Sequence, residues 1–504
     1  MDVQFELNVE TRSSMRQHIL LFVNGQQHRV TGADVFLSLS DFLRTRLSMC
    51  GTKIVCSEGD CGSCSVLCAD LGPNVKSDQK TLPVYEPIDS CIRFVFQLDG
   101  CHIVTVEGLA CDGKPNGVQQ AMIDCHGSQC GFCTPGFVMA MTGILEQNES
   151  PTEDDWRHGL TGNLCRCTGY TPIINAGKRS NPANTQAMNH RFPACEMVTQ
   201  FDASFGQPIR IEGPNRVDPA SNNVVYCPTT IEDAVKFLAE EPTALIVAGA
   251  TDIGVQFNKG YSQRPIWLDL NRVDEMATLS ADSNSISAGA RTTWADFEDL
   301  TRELVPQFHN IVSIFGSPQI RNVGTIGGNI INASPIADSI PFLFVGESEL
   351  ELTSVAGKRT VNINDFYLGY KKFDLKPGEL LTRVNIPLPP PESELRLYKV
   401  SRRRDLDISS FTAAIRMKVD GDAIANASLA LGAVGPVVLR LRKTESFLVG
   451  KPFNLETMQQ AGDIAVSEIT PISDVRGGAD FRFQLAKNVL LKFFHETSSV
   501  GAIA

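Results

Sequence analysis

Cys56-Ser57-Glu58-Gly59-Asp60-Cys61-Gly62-Ser63-Cys64 is the stretch on which the fold turns. It is a C-x4-C-x2-C run, Cys91 follows at a distance, and four thiolates so spaced hold a plant-type [2Fe-2S] cluster. Glycine and serine between the cysteines permit positive φ and leave backbone amides free to hydrogen-bond the sulfurs. A second set lies downstream, in Cys130-Gly131-Phe132-Cys133 and Cys165-Arg166-Cys167. A C-x2-C paired with a C-x-C brings four more thiolates to one point, and such soft sites select zinc or iron–sulfur. A four-cysteine zinc site favours two C-x2-C-like knuckles, which neither set supplies. A disulfide framework fits poorly with a long chain, an odd count of 15 cysteines and no secretory leader. Cys125, Cys130 and Cys133 also read as C-x4-C-x2-C, so spacing leaves Cys125 open, although the C-x-C pair already completes a set of four. Cys50, Cys68, Cys101, Cys111, Cys195 and Cys227 read as small buried hydrophobes or incidental thiols.

Working outward, His18 to Val23 is an apolar strand, Asn24-Gly25 is a two-residue hairpin signal, and Gln27 to Val30 is its partner. A helix starts near Ser38 or Ser40 with Leu43 and Leu47 on one face. Ile92 to Gln97 and His102 to Val106 are expected to be closing strands. Hairpin, helix and cysteine loop in that order predict a β-grasp ferredoxin domain over residues 1–109. From Gly117 the pattern turns helical, with helices expected over 118–125, 135–147 and 156–160 and another opened by Thr171-Pro172-Ile173. This predicts a small helical domain, 110–180, that holds the second cysteine set. Residues 181–222 are rich in Asn, Pro, Ser and Gly and read as a linker. An α/β alternation follows over 223–391, and a last α+β domain over 392–504 has two strands either side of Asp420-Gly421-Asp422. The expected class is a multidomain α+β protein.

The net charge of −12 argues against a nucleic-acid partner, because polyanion binding needs a cationic footprint. No run approaches the roughly 18 apolar residues of a membrane span. Abundant unpaired thiols suit a reducing compartment, so a cytoplasmic protein is expected. The eight histidines form no metal or triad spacing, and no catalytic base is assigned.

Gln129 to Gly136 together with Gly162 to Tyr170 resembles the second-cluster signature of the molybdenum hydroxylases. From about residue 18 onward the chain is similar to the iron–sulfur and flavin subunits of bacterial xanthine dehydrogenases. The resemblance implies two [2Fe-2S] clusters, ligated by Cys56, Cys61, Cys64 and Cys91 and by Cys130, Cys133, Cys165 and Cys167. It also implies one FAD, NAD as electron acceptor, and a molybdopterin centre on a separate large subunit, in a heterotetramer. Electrons would pass from the Cys130 cluster to the Cys56 cluster, then to FAD and NAD, during oxidation of hypoxanthine and xanthine to urate. The alternative is the same component of an aldehyde or other N-heterocycle hydroxylase.

Two glycine turns follow apolar runs: Val247-Ala248-Gly249-Ala250-Thr251-Asp252, after Leu245-Ile246, and Gly324-Thr325-Ile326-Gly327-Gly328-Asn329. Neither is a G-x-G-x-x-G, and each alone reads as an ordinary turn. With Asn332 to Asp338 after them, they resemble the FAD domain of the vanillyl-alcohol-oxidase and xanthine-dehydrogenase type. That resemblance puts FAD contacts at residues 245–252, Phe315, Thr325, Ile326, Gly327, Gly328, Asn329, Asp338, Leu381 and Lys399. It implies Gly327 and Gly328 amides at the diphosphate, Phe315 beside the isoalloxazine, Asp338 at a polar edge, and Lys399 countering negative charge; a solvated surface lysine is the other reading of Lys399. Ser401-Arg402-Arg403-Arg404-Asp405-Leu406-Asp407-Ile408 reads as a solvated charged loop, and in the family the matching loop influences NAD access. Asp474 to Arg482 favours the xanthine dehydrogenase type.

Overall fold

The computed structural model describes residues 15–72, 82–111, 113–180, 185–215, 221–261 and 264–498. They form two compact units: Met1–Asp274 with Ser317–Gly324, and Glu275–Gly316 with Thr325–Ala504.

In the first unit, β1 (Ile19–Val23) and β2 (Gln26–Val30) make the expected hairpin. Asn24 (φ 49°) and Gly25 (φ 81°) both take the positive φ that a two-residue turn of right-handed twist requires. Ser38 caps the helix Leu39–Thr45, its hydroxyl accepting from the Asp41 amide at 3.1 Å. β3 (Ser65–Asp70), β4 (Glu86–Asp89) and β5 (Cys101–Val104) complete a mixed sheet of order β2-β1-β5-β3-β4, with β1 and β5 parallel. The strand expected at Ile92 to Gln97 is instead a turn leading into a 3-10 helix, Val95–Leu98. Gln97 folds back to accept the Phe94 amide at 3.0 Å, and Phe94 and Phe96 stack inward at 5.1 Å rather than alternating across a sheet. The strand before Cys91 is β4.

The helical part follows as Gly117–Asp124, Thr134–Gln147, Glu153–Gly159 and Thr171–Arg179, packed around buried Trp156. The stretch read as a linker is structured where it is described. Helices Met188–Arg191 and Ala194–Val198 and strand β6 (Ile209–Pro214) lie within it. Met188 joins the helical core, while Ala194 and Met197 pack with Phe22 and Leu71, single apolar anchors too sparse to show periodicity. Residues 181–184 and 216–220 of that stretch lie outside the described residues. β7 (Asn222–Cys227), β8 (Leu245–Val247) and β9 (Ile266–Asp269) then make a sheet of order β6-β7-β9-β8. One continuous core joins this sheet to the ferredoxin-like sheet, with Trp267 set edge-on to Phe94 at 5.2 Å and to Phe257 at 5.8 Å.

The second unit has β10 (Leu279–Ala281), β11 (Ser285–Gly289), β12 (Glu349–Ser354) and β13 (Gly357–Asn362). A small hairpin follows, β14 (Tyr367–Gly369) and β15 (Lys372–Phe373), and then β16 (Leu380–Pro387). The main sheet is antiparallel with order β10-β11-β16-β12-β13. An antiparallel meander, β17 (Glu394–Val400), β18 (Phe411–Asp420), β19 (Ala423–Gly432) and β20 (Leu439–Arg440), turns at Asp420-Gly421-Asp422 as expected. Helices Leu455–Ser467 and Ala479–Thr497 share a core with it. Among the described residues no helix is long and apolar enough to cross a membrane.

Asp99 ties the first unit together from inside. Its carboxylate accepts from Arg16 at 2.5 Å, Arg272 at 3.3 Å and the Leu20 amide at 2.9 Å, and it is 1% exposed. Removing one partner of a buried charge pair strands the other, so Asp99→Ala should cost about 3–5 kcal/mol, read as a lower urea midpoint.

Candidate functional site

The first cysteine loop takes its shape from three left-handed residues, Ser57 (φ 57°), Gly59 (φ 70°) and Gly62 (φ 64°). Cys61, Cys64 and Cys91 are buried and Cys56 is half-buried. The four sulfurs converge: Cys56 is within hydrogen-bond reach of Cys61 and Cys91, and Cys91 of Cys64. Hydrogen bonds from the Cys61 and Cys91 thiols, and from the Asp60 and Glu58 amides, hold the Cys56 thiol far below its ordinary range. Donating to Cys56 pushes Cys61 and Cys91 upward, and burial adds to it. Buried Asp89 lies 3.6 Å from the Cys64 sulfur, and burial, then the charge of Cys56, push its carboxyl up to about 7.

The second set sits at two helix starts. Cys133 is the N-cap of Thr134–Gln147, and Cys165 and Cys167 precede Thr171–Arg179 across Gly169 (φ 67°) and Tyr170 (φ 69°). The Cys130 and Cys167 sulfurs are 3.7 Å apart and both residues are exposed. Burial, then a hydrogen bond to Cys165, push Cys133 up to about 12. Burial works to raise Cys165 too, but the Thr168 hydroxyl (3.1 Å) and amide (3.5 Å) donate to its sulfur and bring it below the ordinary range. Cys125, left open by spacing, caps the C-terminus of Gly117–Asp124 and packs against the helical core. Among the described residues no three His, Cys, Asp or Glu side chains close on one point as a single-ion site demands. Eight sulfurs in two pairwise-touching sets, with amide and hydroxyl donors aimed at them, have the chemistry of two-iron clusters, whose ligands stand around a larger core.

The turn after β8 packs against Val323 and accepts hydrogen bonds from the segment that follows Cys91. Gly249 is packed so that a Cβ would stand 2.1 Å from the Val323 carbonyl oxygen, and Ala250 takes φ 61°. The Ala248 carbonyl accepts from Gln97 (2.7 Å), Asn271 (3.0 Å) and Arg93 (3.3 Å). The helix that leaves this turn, Ile253–Asn258, ends in Asn258, whose amide donates to the carbonyls of Cys91 (2.8 Å) and Ser57 (3.0 Å). Gly254 sits where a Cβ would be 2.4 Å from the Ile92 carbonyl oxygen. Arg93, Gln97 and Asn258 escaped the sequence reading because no spacing rule links them to the distant carbonyls they bond.

The remaining expected flavin residues, Phe315, Thr325 to Asn329, Asp338, Leu381 and Lys399, belong to the second unit. The Gly327 amide donates to the Ala290 carbonyl at 2.8 Å and the Gly328 amide to the Thr325 hydroxyl at 3.1 Å. Gly327 also permits a close approach, since a Cβ would lie 2.5 Å from the Ala290 oxygen. Lys399 is not solvated: its side chain is buried, bonded to Asp338 at 2.5 Å and to the Asp407 carbonyl at 2.9 Å. Asp338 also accepts from Ser409 at 2.5 Å. Phe315 is half-buried and edge-on to Trp294 at 5.3 Å, and Leu381 is buried in β16. Arg402 to Arg404 are exposed, as a charged loop predicts. In the Asp474 to Arg482 run, buried Arg482 grips Asp474 with two 2.9 Å contacts and the Ser410 carbonyl at 3.0 Å, which makes the run a clasp.

Residues 105–178 match the model of a [2Fe-2S] binding domain, 219–389 that of the FAD binding domain in molybdopterin dehydrogenase, and 396–497 that of the CO dehydrogenase flavoprotein C-terminal domain. Similar proteins include xanthine dehydrogenase/oxidase of Gallus gallus (30% identical, 94% of this chain and 40% of the relative) and xanthine dehydrogenase 1 of Arabidopsis thaliana (28%, 94% and 39%). Aldehyde oxidase 1 of Bos taurus is also 28% identical, over 96% of this chain and 39% of the relative. The chain thus spans about two-fifths of the length of these relatives. Among solved structures it resembles a chain of carbon monoxide dehydrogenase from Hydrogenophaga pseudoflava (TM-score 0.51, 26% identity, 53% of this chain and 94% of that one). It also resembles a chain of quinoline 2-oxidoreductase from Pseudomonas putida 86 (TM-score 0.50, 28%, 55% and 96%).

Two outcomes follow from the geometry. Cys125→Ser should leave iron content unchanged, whereas Cys165→Ser should remove one cluster by iron analysis and electron paramagnetic resonance, since a cluster needs four ligands. Gly249→Val should displace the turn from Val323 and strip FAD, measured by flavin absorbance, while Gly328→Ala, with only the Thr325 hydroxyl at 3.0 Å, retains it.

Proposed function

We propose that this chain, a member of the molybdenum hydroxylase family by its three matched domains, is the electron-transfer subunit of a xanthine dehydrogenase. Hypoxanthine and xanthine are oxidised to urate at a molybdopterin centre on a partner subunit, within a cytoplasmic heterotetramer, and NAD is the final acceptor. When bound, two [2Fe-2S] clusters and one FAD supply the carriers, in the order Cys130 set, Cys56 set, flavin, and convert single-electron steps to hydride transfer.

The residues of the chain support that order. Cys130 and Cys167 are exposed, and Phe132, Leu164 and Tyr170 beside them expose 38–49% of their surface, an apolar rim suited to a protein partner. The Leu164 amide, next to Cys165, donates to the Cys61 carbonyl at 3.0 Å. The observation that carries the proposal is Asn258, which fastens the helix after the Gly249 turn to the carbonyls of Cys91 and Ser57. Second cysteine set, first cysteine set and flavin turn are thereby strung on successive hydrogen bonds. Exposed Arg402 to Arg404 offer cationic groups for a dinucleotide phosphate. A hydroxylase for aldehydes is the second reading, favoured by the equal identity to Aldehyde oxidase 1 of Bos taurus.

The purified chain should hold about four irons, two per cluster, and one FAD. It should oxidise NADH with an artificial dye and leave xanthine untouched. Purine hydroxylation by this chain alone, or a preparation without flavin, would overturn the assignment; activity of the assembled complex on aldehydes but not purines would select the second reading.

A further inference from the structure

Gln319 lies fully buried on the short helix Pro318–Arg321, outside every motif read from the sequence. Its side-chain amide donates to the Ser65 hydroxyl at 3.1 Å and to Asn163 Oδ1 at 2.9 Å. Ser65 directly follows Cys64, and Asn163 stands two residues before Cys165. Both acceptors are themselves committed to one carbonyl: Ser65 Oγ donates to Gly62 O at 2.8 Å, and Asn163 Nδ2 to the same oxygen at 3.0 Å. Gln319 therefore closes a buried ring of polar groups drawn from both cysteine sets.

The backbone around the ring is as close as glycine allows. A Cβ at Gly162 would lie 2.1 Å from Gln319 Oε1, one at Gly62 2.4 Å from the Gly162 oxygen, and one at Gly136 2.1 Å from the Gly62 oxygen. At this junction the Leu164 amide bonds the Cys61 carbonyl at 3.0 Å, so a path of covalent bonds interrupted by one hydrogen bond runs from Cys61 to Cys165. The helix that presents Gln319 is held on its other sides. Ile320 packs on Cys64, Cys91 and Ile92, the Asn322 amide donates to the Pro87 carbonyl at 2.9 Å, and Arg321 lies 3.2 Å from His158 Nε2. A group so locked fixes the geometry of what it touches.

We propose that Gln319 is a positioning residue for electron transfer between the two clusters, holding the Cys61–Leu164 hydrogen bond and with it the spacing and orientation of the two cysteine sets. The proposal rests on the reading that each set ligates a [2Fe-2S] cluster. In the full chain, Gln319→Met keeps the volume and removes both donated hydrogen bonds. Iron content and the individual paramagnetic signal of each reduced cluster are retained. The mutual magnetic broadening between the two signals weakens, and electron exchange between them slows several-fold. Ser65→Ala, which removes one of the two acceptors, shifts the same readouts less and in the same direction, and it decides the matter where Gln319→Met sheds iron. Unchanged broadening and exchange in either iron-replete variant overturns the proposal. A wild-type chain with one cluster signal or none overturns the two-cluster reading instead, and the proposal falls with it.

Discussion

The carbonyl oxygen of Gly62 accepts from the Ser65 amide at 3.1 Å, the Ser65 hydroxyl at 2.8 Å and the Asn163 side chain at 3.0 Å. A buried acceptor so fully engaged cannot shift without leaving several donors unpaired, and in a low-dielectric interior that is costly. Its position requires glycine at 62, where φ is 64° and the backbone meets Gly136 and Gly162. The first cysteine loop, the start of the helix after Cys133 and the approach to Cys165 are thus fixed by one peptide group.

On its other side the same loop is bound to the helix that leaves the turn after β8. Cys91 and Ser57 are tied to Asn258, and Arg93 and Gln97 reach the Ala248 carbonyl. Beneath these polar contacts Phe94, Phe257 and Trp267 pack mutually edge-on at 5.1–5.8 Å. Each such aromatic pair adds about 0.5–1.5 kcal/mol beyond its burial, so the polar junction rests on a stiff apolar floor. The order of segments in the chain is not the order of packing: residues 317–324, which run into the second glycine turn, pack in the first unit.

In the second unit, glycine amides and a lysine among the expected flavin residues have partners within the protein. The amides of Gly327 and Gly328 donate to Ala290 and Thr325, and the charge of Lys399 is matched by Asp338 inside the protein. A buried pair of this kind persists only with further hydrogen bonds, which Ser409 and the Asp407 carbonyl supply.

Spacing alone made both cysteine sets legible, because a cluster demands fixed ligand counts over short loops, and Asn24-Gly25 and Asp420-Gly421-Asp422 announced their hairpins through local φ preferences. The sequence by itself also determined the helical run around Cys130 and the α+β class, since both rest on periodicity and capping within a few residues. Tertiary structure alone decided that Ile92 to Gln97 leaves the sheet, that residues 188–214 dock on earlier elements, and that Cys125 joins the helical core. It alone brought Gln319 to Ser65 and Asn163, across 254 and 156 residues. The physical reason is range. A turn, a cap or a ligand spacing is set by neighbours along the chain, whereas a buried hydrogen bond or a glycine's close approach depends on a partner that only the folded chain brings near.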